Sequence, residues 1–465
     1  MGLPWPRYSR PVLGLLAREY VSISEQTIRR MVVKTTFAQL GVLILVLYAP
    51  LLAFCADNPT DSYIRNVTQL IDRHEESIDR LAAPAESTAQ ALLAGGSFYL
   101  AGDPAWISEG TGRAGGLLAT SPLPTAEQFK QLGEWFGKVP EGATIKKGDV
   151  VWLSYTPETF SSEAANVKDL EGKQCLVVAF GPKPPNGPPP FTHWVDSLTP
   201  WTADTNFTRM GNVLSLWTLT GEVAASTSRQ NQTLAFYQSL VIYGARERND
   251  IYTSQRPYKG SIATTYPPLA SYHTGLGNGF HDGIPSMKPV QAGVLARSYL
   301  QFVSNMVRQI KDHELESIAK VGHEMLQRAS ESHPVYLMVL GHLMFYATAR
   351  DNKMFHYLDV RSEGKNLRSS LSPDAYFIWL GYVATPLDFW YAVRSARARG
   401  VWIVSPLPAE VDFSQFDDVV INQHWLVGDA AVEVPGYDIR ILPPSGIAQL
   451  FIYELLLRAS GGGSS

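Results

Sequence analysis

From about residue 64 onward, apolar positions follow two patterns in turn. Stretches with a helical period give way to short runs that are apolar throughout. Residues 64–93 predict a helix that stops at Gly95-Gly96. Strands are predicted over 97–102, 148–154 and 173–179, with a helix over 161–170 between the last two. The plan recurs further on: helix 314–330, strand 335–341, strand 374–380, helix 386–399 and strand 401–404. Continuous apolar strands are what a parallel sheet covered on both faces requires. Their alternation with helices implies right-handed βαβ units. The predicted fold is α/β, with two doubly wound parallel-sheet domains over 60–290 and 313–460. A bridging helix over 291–312 is predicted between them. In such sheets ligands sit beyond the carboxyl ends of the strands, at the switch point.

Three segments stand outside this pattern. Residues 182–190 are so rich in proline that a rigid extended loop is expected. Residues 252–289 are rich in Gly, Pro, Ser and Tyr without a period, which marks a functional insertion or a linker. At the N-terminus, 40–54 is an almost unbroken apolar run preceded by Arg29, Arg30 and Lys34, with Ala53 two residues before Cys55. Basic, apolar and small residues in that order form an export signal. The run is short for a membrane span and holds Pro50, which favours cleavage after Cys55 over a retained anchor. Residues 1–55 are therefore expected to be an export signal, or a signal-anchor if uncleaved. The expected location is exported (periplasmic or extracytoplasmic), with membrane attachment only if the segment is kept. Met31 serves equally well as a start, whereas Arg29-Arg30-Met31-Val32-Val33-Lys34 has the form of a degenerate twin-arginine signal and needs the longer chain.

Composition narrows the function classes. The 465 residues are 45% apolar and 18% charged, which excludes intrinsic disorder. The net charge of −4, with no basic domain, argues against nucleic acid as a partner. Cleavage after Cys55 removes six basic and two acidic residues and leaves a mature chain at −8. Two cysteines, Cys55 and Cys175, support neither a disulfide scaffold nor a cysteine-rich metal site. No metal or cofactor is expected.

Candidate chemistry centres on Ser154-Tyr155-Thr156-Pro157-Glu158-Thr159, between a strand and a helix start. Hydroxyls beside helix N–H groups suit a phosphate. Ser and Thr are equally ordinary helix caps. Glu109 and Arg113, four apart, can pair on a helix face or leave Arg113 to clamp an anion. Glu222 is either a proton-shuttling base or a solvated acid at a helix end. His342 follows a strand, where packing or ligand contact are both open. His273, His281 and Asp282 in the long insertion lack the spacing of a helical metal pair. Gly275–Gly279 lacks the strand and helix of a dinucleotide fingerprint.

The segment Gly148-Asp149-Val150-Val151-Trp152-Leu153-Ser154-Tyr155-Thr156-Pro157-Glu158-Thr159 resembles the signature of the sugar isomerase (SIS) domain, a Gly-Asp, an apolar run and Ser-x-Ser-Gly-x-Thr. Gly221-Glu222-Val223-Ala224-Ala225-Ser226-Thr227 resembles a stretch of SIS aminosugar isomerases. Arg113-Ala114-Gly115-Gly116-Leu117, Gly428-Asp429-Ala430-Ala431-Val432 and Pro443-Pro444-Ser445-Gly446-Ile447 resemble segments of bacterial SIS-type phosphosugar-binding proteins. The resemblance implies tandem, three-layer, flavodoxin-like domains and a homo-oligomer. It implies phosphate binding at Ser154, Thr156 and Thr159, and a base at Glu222 that moves a proton through an enediol. Further ligand contacts are implied at Glu109, Arg113, Ser226 and Thr227, with His342 and Thr385 in the second copy. Pro157 stands where the family has glycine and removes one backbone donor. The first strand ends Gly102-Asp103-Pro104 and keeps no hydroxyl. The function implied is a phosphosugar or sugar-derivative binding protein, either an aldose–ketose isomerase or a non-catalytic exported carbohydrate-binding, sensing or scaffold module.

Overall fold

The structure is a computed structural model. It describes residues 58–123, 145–187, 189, 191–240, 242, 244–246, 248–249, 287–344, 354–360, 363–382, 387–405 and 418–461. The export segment, Thr385, His273, His281, Asp282 and most of the 252–289 insertion lie outside the described residues.

Helices α1 (Pro59–Glu76) and α2 (Ala82–Leu93) come first. The single helix predicted over 64–93 is thus interrupted, by a 3-10 turn at Ile78–Leu81. The order continues β1 (Phe98–Gly102), α3 (Pro104–Gly110), β2 (Thr120–Pro122), β3 (Val150–Ser154), α4 (Phe160–Gly172), β4 (Leu176–Gly181), β5 (His193–Asp196) and α5 (Thr205–Arg229). The second half holds α6 (Val294–His313), α7 (Leu315–Ser330), β6 (Val335–Val339), β7 (His356–Leu358), α8 (Leu367–Ser370), β8 (Tyr376–Leu380), α9 (Leu387–Ser395), β9 (Arg399–Val404), β10 (Val419–Asn422) and α10 (Ser445–Ala459).

Each half forms a five-stranded sheet with every pairing parallel. The first sheet is ordered β2-β1-β3-β4-β5. The second, β7-β6-β8-β9-β10, has the same plan. This is the doubly wound α/β order with its switch point between the first and third strands. The five-residue apolar runs make the central strands, where both faces need cover. Along β1 and β3, Phe98, Leu100, Val150 and Trp152 enter the central core. Tyr99, Ala101, Val151 and Leu153 face a smaller core on the other side, together with Cys175. Cys175 is buried and unpaired, and burial pushes its thiol up, as expected of an inert apolar residue. The Pro-rich segment after β4 replaces a helix as the crossover to β5, and Tyr155 pins it by donating to Pro182 O at 2.9 Å.

The central core runs from Tyr63 on α1 to Leu457 on α10 and includes strands of both sheets. Pro59–Ser465 is accordingly one compact unit. Helix α5 is buried on nearly all sides, and so is α10. Helix α10 packs on α7 of its own half and on α1 and α5 of the other. The helix expected over 291–312 is α6, and it lies against α5 and α1. Among the described residues no helix is long and apolar enough to cross a membrane.

Candidate functional site

Helix α5 passes three polar clusters in turn. The first lies at the switch point of the first sheet, where β1 and β3 end side by side. Gly102 has φ +94°, and a Cβ on it would lie 1.9 Å from Ser154 O. That approach brings Asp103 N–H onto Ser154 Oγ at 3.1 Å. Asp103 also caps α3, accepting from Ala105 N–H at 3.0 Å. From α5, Arg209 grips the same carboxylate at 2.6 Å and 3.2 Å, a bidentate pair.

The hydroxyl turn itself is closed by internal bonds. Thr156 N–H donates to Thr159 Oγ1 at 3.0 Å, and Thr159 N–H donates to Thr156 O at 3.2 Å. Thr159 sits at the N-cap of α4 but makes no side-chain cap bond. Pro157 has no N–H to give. Glu158 is held below the usual carboxylate range by a hydrogen bond with Thr156, then by its own backbone N–H, Thr205 and the charge of Arg209. On the first turn of α4, Glu163 is pushed up by burial, and the charge of Asp103 adds to the rise. Asn212 of α5 supports the turn from below, its Nδ2 donating to Tyr155 O at 3.0 Å. Beside the turn, Phe160 and Trp201 meet edge to face with centroids 5.4 Å apart.

The second cluster joins the halves. Arg113 Nη1 is 2.5 Å from Glu109 Oε2, so the expected i,i+4 pair forms. It forms out of solvent, at 1% and 0% side-chain exposure, and Arg113 lies beyond the end of α3. Arg113 Nη2 reaches Asp429 Oδ2 at 3.2 Å and bonds Ser445 Oγ. Ser445 also donates to Asp429, from Oγ at 2.9 Å and from N at 3.2 Å. Trp217 of α5 donates to Glu109 at 3.3 Å. Burial pushes Glu109 up to about 7, against the pull of Arg113. Asp429 is raised for the same reason. His342 packs here with Nδ1 3.0 Å from Ser108 O, and burial, then the charge of Arg113, lowers it to about 3. Arg113 thus holds carboxylates of the chain itself.

The third cluster is at Glu222, ten residues beyond Asn212 on α5 and so about 15 Å further along the axis. It is neither solvated nor at a helix end: it is 2% exposed, and Oε2 accepts from Gly293 N–H at 2.8 Å, just before α6. Burial raises its pKa. Ser226 and Thr227 lie one turn on, and Thr227 folds back onto Ala224 O at 3.0 Å. The structure therefore brings Ser154, Thr156 and Thr159 together, joins Glu109 to Arg113 and places His342 beside them, and keeps Glu222, Ser226 and Thr227 apart from both groups.

Sequence reasoning did not single out Arg209, Asn212, Trp217, Asp429 or Ser445. The last two lie in segments that carried the resemblance. The first three are on α5, which is buried all round and leaves no amphipathic signal.

No family model matches the chain, and no curated protein matches it. Among solved structures, the C-terminal domain of glucosamine-fructose-6-phosphate aminotransferase from Francisella tularensis is similar at 7% identity. That match covers 84% of this chain and 96% of that one, with a TM-score of 0.42. Tagatose-6-phosphate ketose/aldose isomerase from Escherichia coli is similar at 11% identity over 87% of this chain and 91% of its own, with a TM-score of 0.41. Likeness at these values assigns neither ligand nor activity to this chain.

Proposed function

We propose that the chain is a SIS-type binding protein for a sugar or sugar derivative, and that it binds without interconverting its ligand. The ligand seat in this reading is the switch point of the first sheet, rimmed by Thr159, Glu158, Arg209, Phe160 and Trp201. The observation that carries the reading is the position of Glu222. A general base must come within about 3 Å of the proton it takes, directly or through one water. Glu222 stands about 15 Å down α5 from the residue beneath the hydroxyl turn, with one oxygen on Gly293 N–H. Among the other buried carboxyls, Glu109 and Asp429 are held by Arg113 in a closed core, Asp103 is held by Arg209, and Glu163 accepts from Asn166 on α4. Export through residues 1–55 is part of the same proposal, and N-terminal sequencing of the protein from intact cells reads it.

The test is a thermal-shift screen with hexoses, aminosugars and their 6-phosphates, followed by NMR in D2O. The expected outcome is stabilisation by at least one sugar and no deuterium uptake at C2. Uptake that disappears in Glu222→Gln would restore the isomerase reading. No stabilisation by any sugar would remove the binding reading.

A further inference from the structure

The switch point of the first sheet is furnished for a ligand that donates hydrogen bonds. A phosphate ester carries acceptors only, so it needs N–H, O–H or cationic groups around it. In the 154–159 turn both threonine N–H groups are already engaged. Thr156 N–H is on Thr159 Oγ1, Thr159 N–H is on Thr156 O, and position 157 is proline. The nearby cation, Arg209, is neutralised by a bidentate bond to Asp103, which is itself 4% exposed. Two further carboxyls, Glu158 and Glu163, stand there, and among the described residues neither forms an ion pair. Glu158 is exposed, at the mouth, and stays ionised. A dianion seated beside it meets like charge, which disfavours it.

An acceptor, by contrast, is waiting. Asn212 Oδ1 is buried without a partner, although the same amide bonds Tyr155 O through Nδ2 and so faces the turn. Buried polar atoms left unpaired are costly and uncommon, and a ligand O–H or N–H supplies what this oxygen lacks. The edge-to-face pair of Phe160 and Trp201, both partly exposed, adds an apolar wall on which the C–H face of a sugar ring can lie.

We infer that the ligand of this switch point is an unphosphorylated sugar, neutral or bearing an ammonium group, held through donors that it presents to Glu158 and Asn212. This rests on the sugar-binding reading above and names its substrate class. The test is isothermal titration of the full chain with glucose, glucosamine, their 6-phosphates and inorganic phosphate, repeated with Glu158→Gln and Trp201→Ala. The expected result is that a free sugar binds at least about tenfold more tightly than its own 6-phosphate. Glu158→Gln narrows that ratio, and Trp201→Ala weakens the free sugar. Tighter binding of the 6-phosphate, or competition by inorganic phosphate, overturns the inference and leaves the sugar-binding reading standing. Binding that ignores both substitutions overturns the location. No binding by any of the sugars overturns the sugar-binding reading and this inference with it.

Discussion

Replacing Arg113 by methionine tests the core that joins the two halves. The guanidinium is 1% exposed, 2.5 Å from Glu109 and 3.2 Å from Asp429. Without it, two carboxyls that are 0% and 6% exposed face each other with no cation between them. Breaking a buried pair in this way costs about 3–5 kcal/mol. The cost must depend on pH, because a carboxyl can escape it by taking a proton. Even with Arg113 present, burial holds Glu109 at about 7. Between its unfolded value near 4.5 and that folded value, the native state keeps a proton that the unfolded chain has released. Stability from this group is therefore greatest at the acid end and is lost as pH rises through about 4.5 to 7. In Arg113→Met the window extends above 7. Below it the carboxyls are neutral, and the loss shrinks to missing hydrogen bonds and packing, about 1–2 kcal/mol. Urea unfolding of both proteins at pH 5.5, 7 and 8.5, followed by tryptophan fluorescence, measures the difference. The expected loss is about 2 kcal/mol at pH 5.5 and about 4 kcal/mol or more at pH 8.5. Glu109→Gln is the control: Arg113 keeps Asp429, the cost is smaller, and the wild-type slope from this group disappears. A loss in Arg113→Met that is the same at all three pH values, or below about 1 kcal/mol at pH 8.5, would refute the account.

Three further outcomes follow from single contacts. Gly102→Ala forces a Cβ to within 1.9 Å of Ser154 O at φ +94°, so β1 and β3 must part at the switch point; a loss above about 3 kcal/mol in urea unfolding is expected. Glu222→Ala removes the acceptor of Gly293 N–H just before α6, and a fall of about 1–3 kcal/mol is expected without any change in sugar affinity. His74 is buried between Leu70 O and Ser215, and burial lowers it to about 4. Its folded value lies below the unfolded one, so stability is full above about 6.5 and falls by about 3 kcal/mol as pH drops toward 4; His74→Gln should flatten that limb in unfolding followed by circular dichroism.

Much of the sheet architecture is legible in the sequence alone. Runs such as Val150–Ser154 and Tyr376–Leu380 are apolar on both faces, and only a covered parallel sheet accommodates them. The edge strands Thr120–Pro122, His193–Asp196, His356–Leu358 and Val419–Asn422 were not legible. They are three or four residues long, partly exposed, and defined by the neighbour they pair with. The extent of helix α5 is not legible either, because periodicity detects one apolar face and this helix is enclosed on nearly all sides. The hydroxyl turn was located correctly at a strand end. Its hydrogen bonds were not, since nothing local says whether Thr159 Oγ1 meets a ligand or Thr156 N–H.

The sequence by itself determined the α/β class, the parallel sheets and the place of the 154–159 turn, because burial and backbone period are written in local patterns of a few residues. Tertiary structure alone decided partners. Arg113 meets Asp429 and Ser445 from more than three hundred residues away, and Glu222 meets Gly293 across a long insertion. Those choices are made where buried donors and acceptors from distant segments must satisfy one another, and the residue types are the same whether the partner is a ligand or the chain itself.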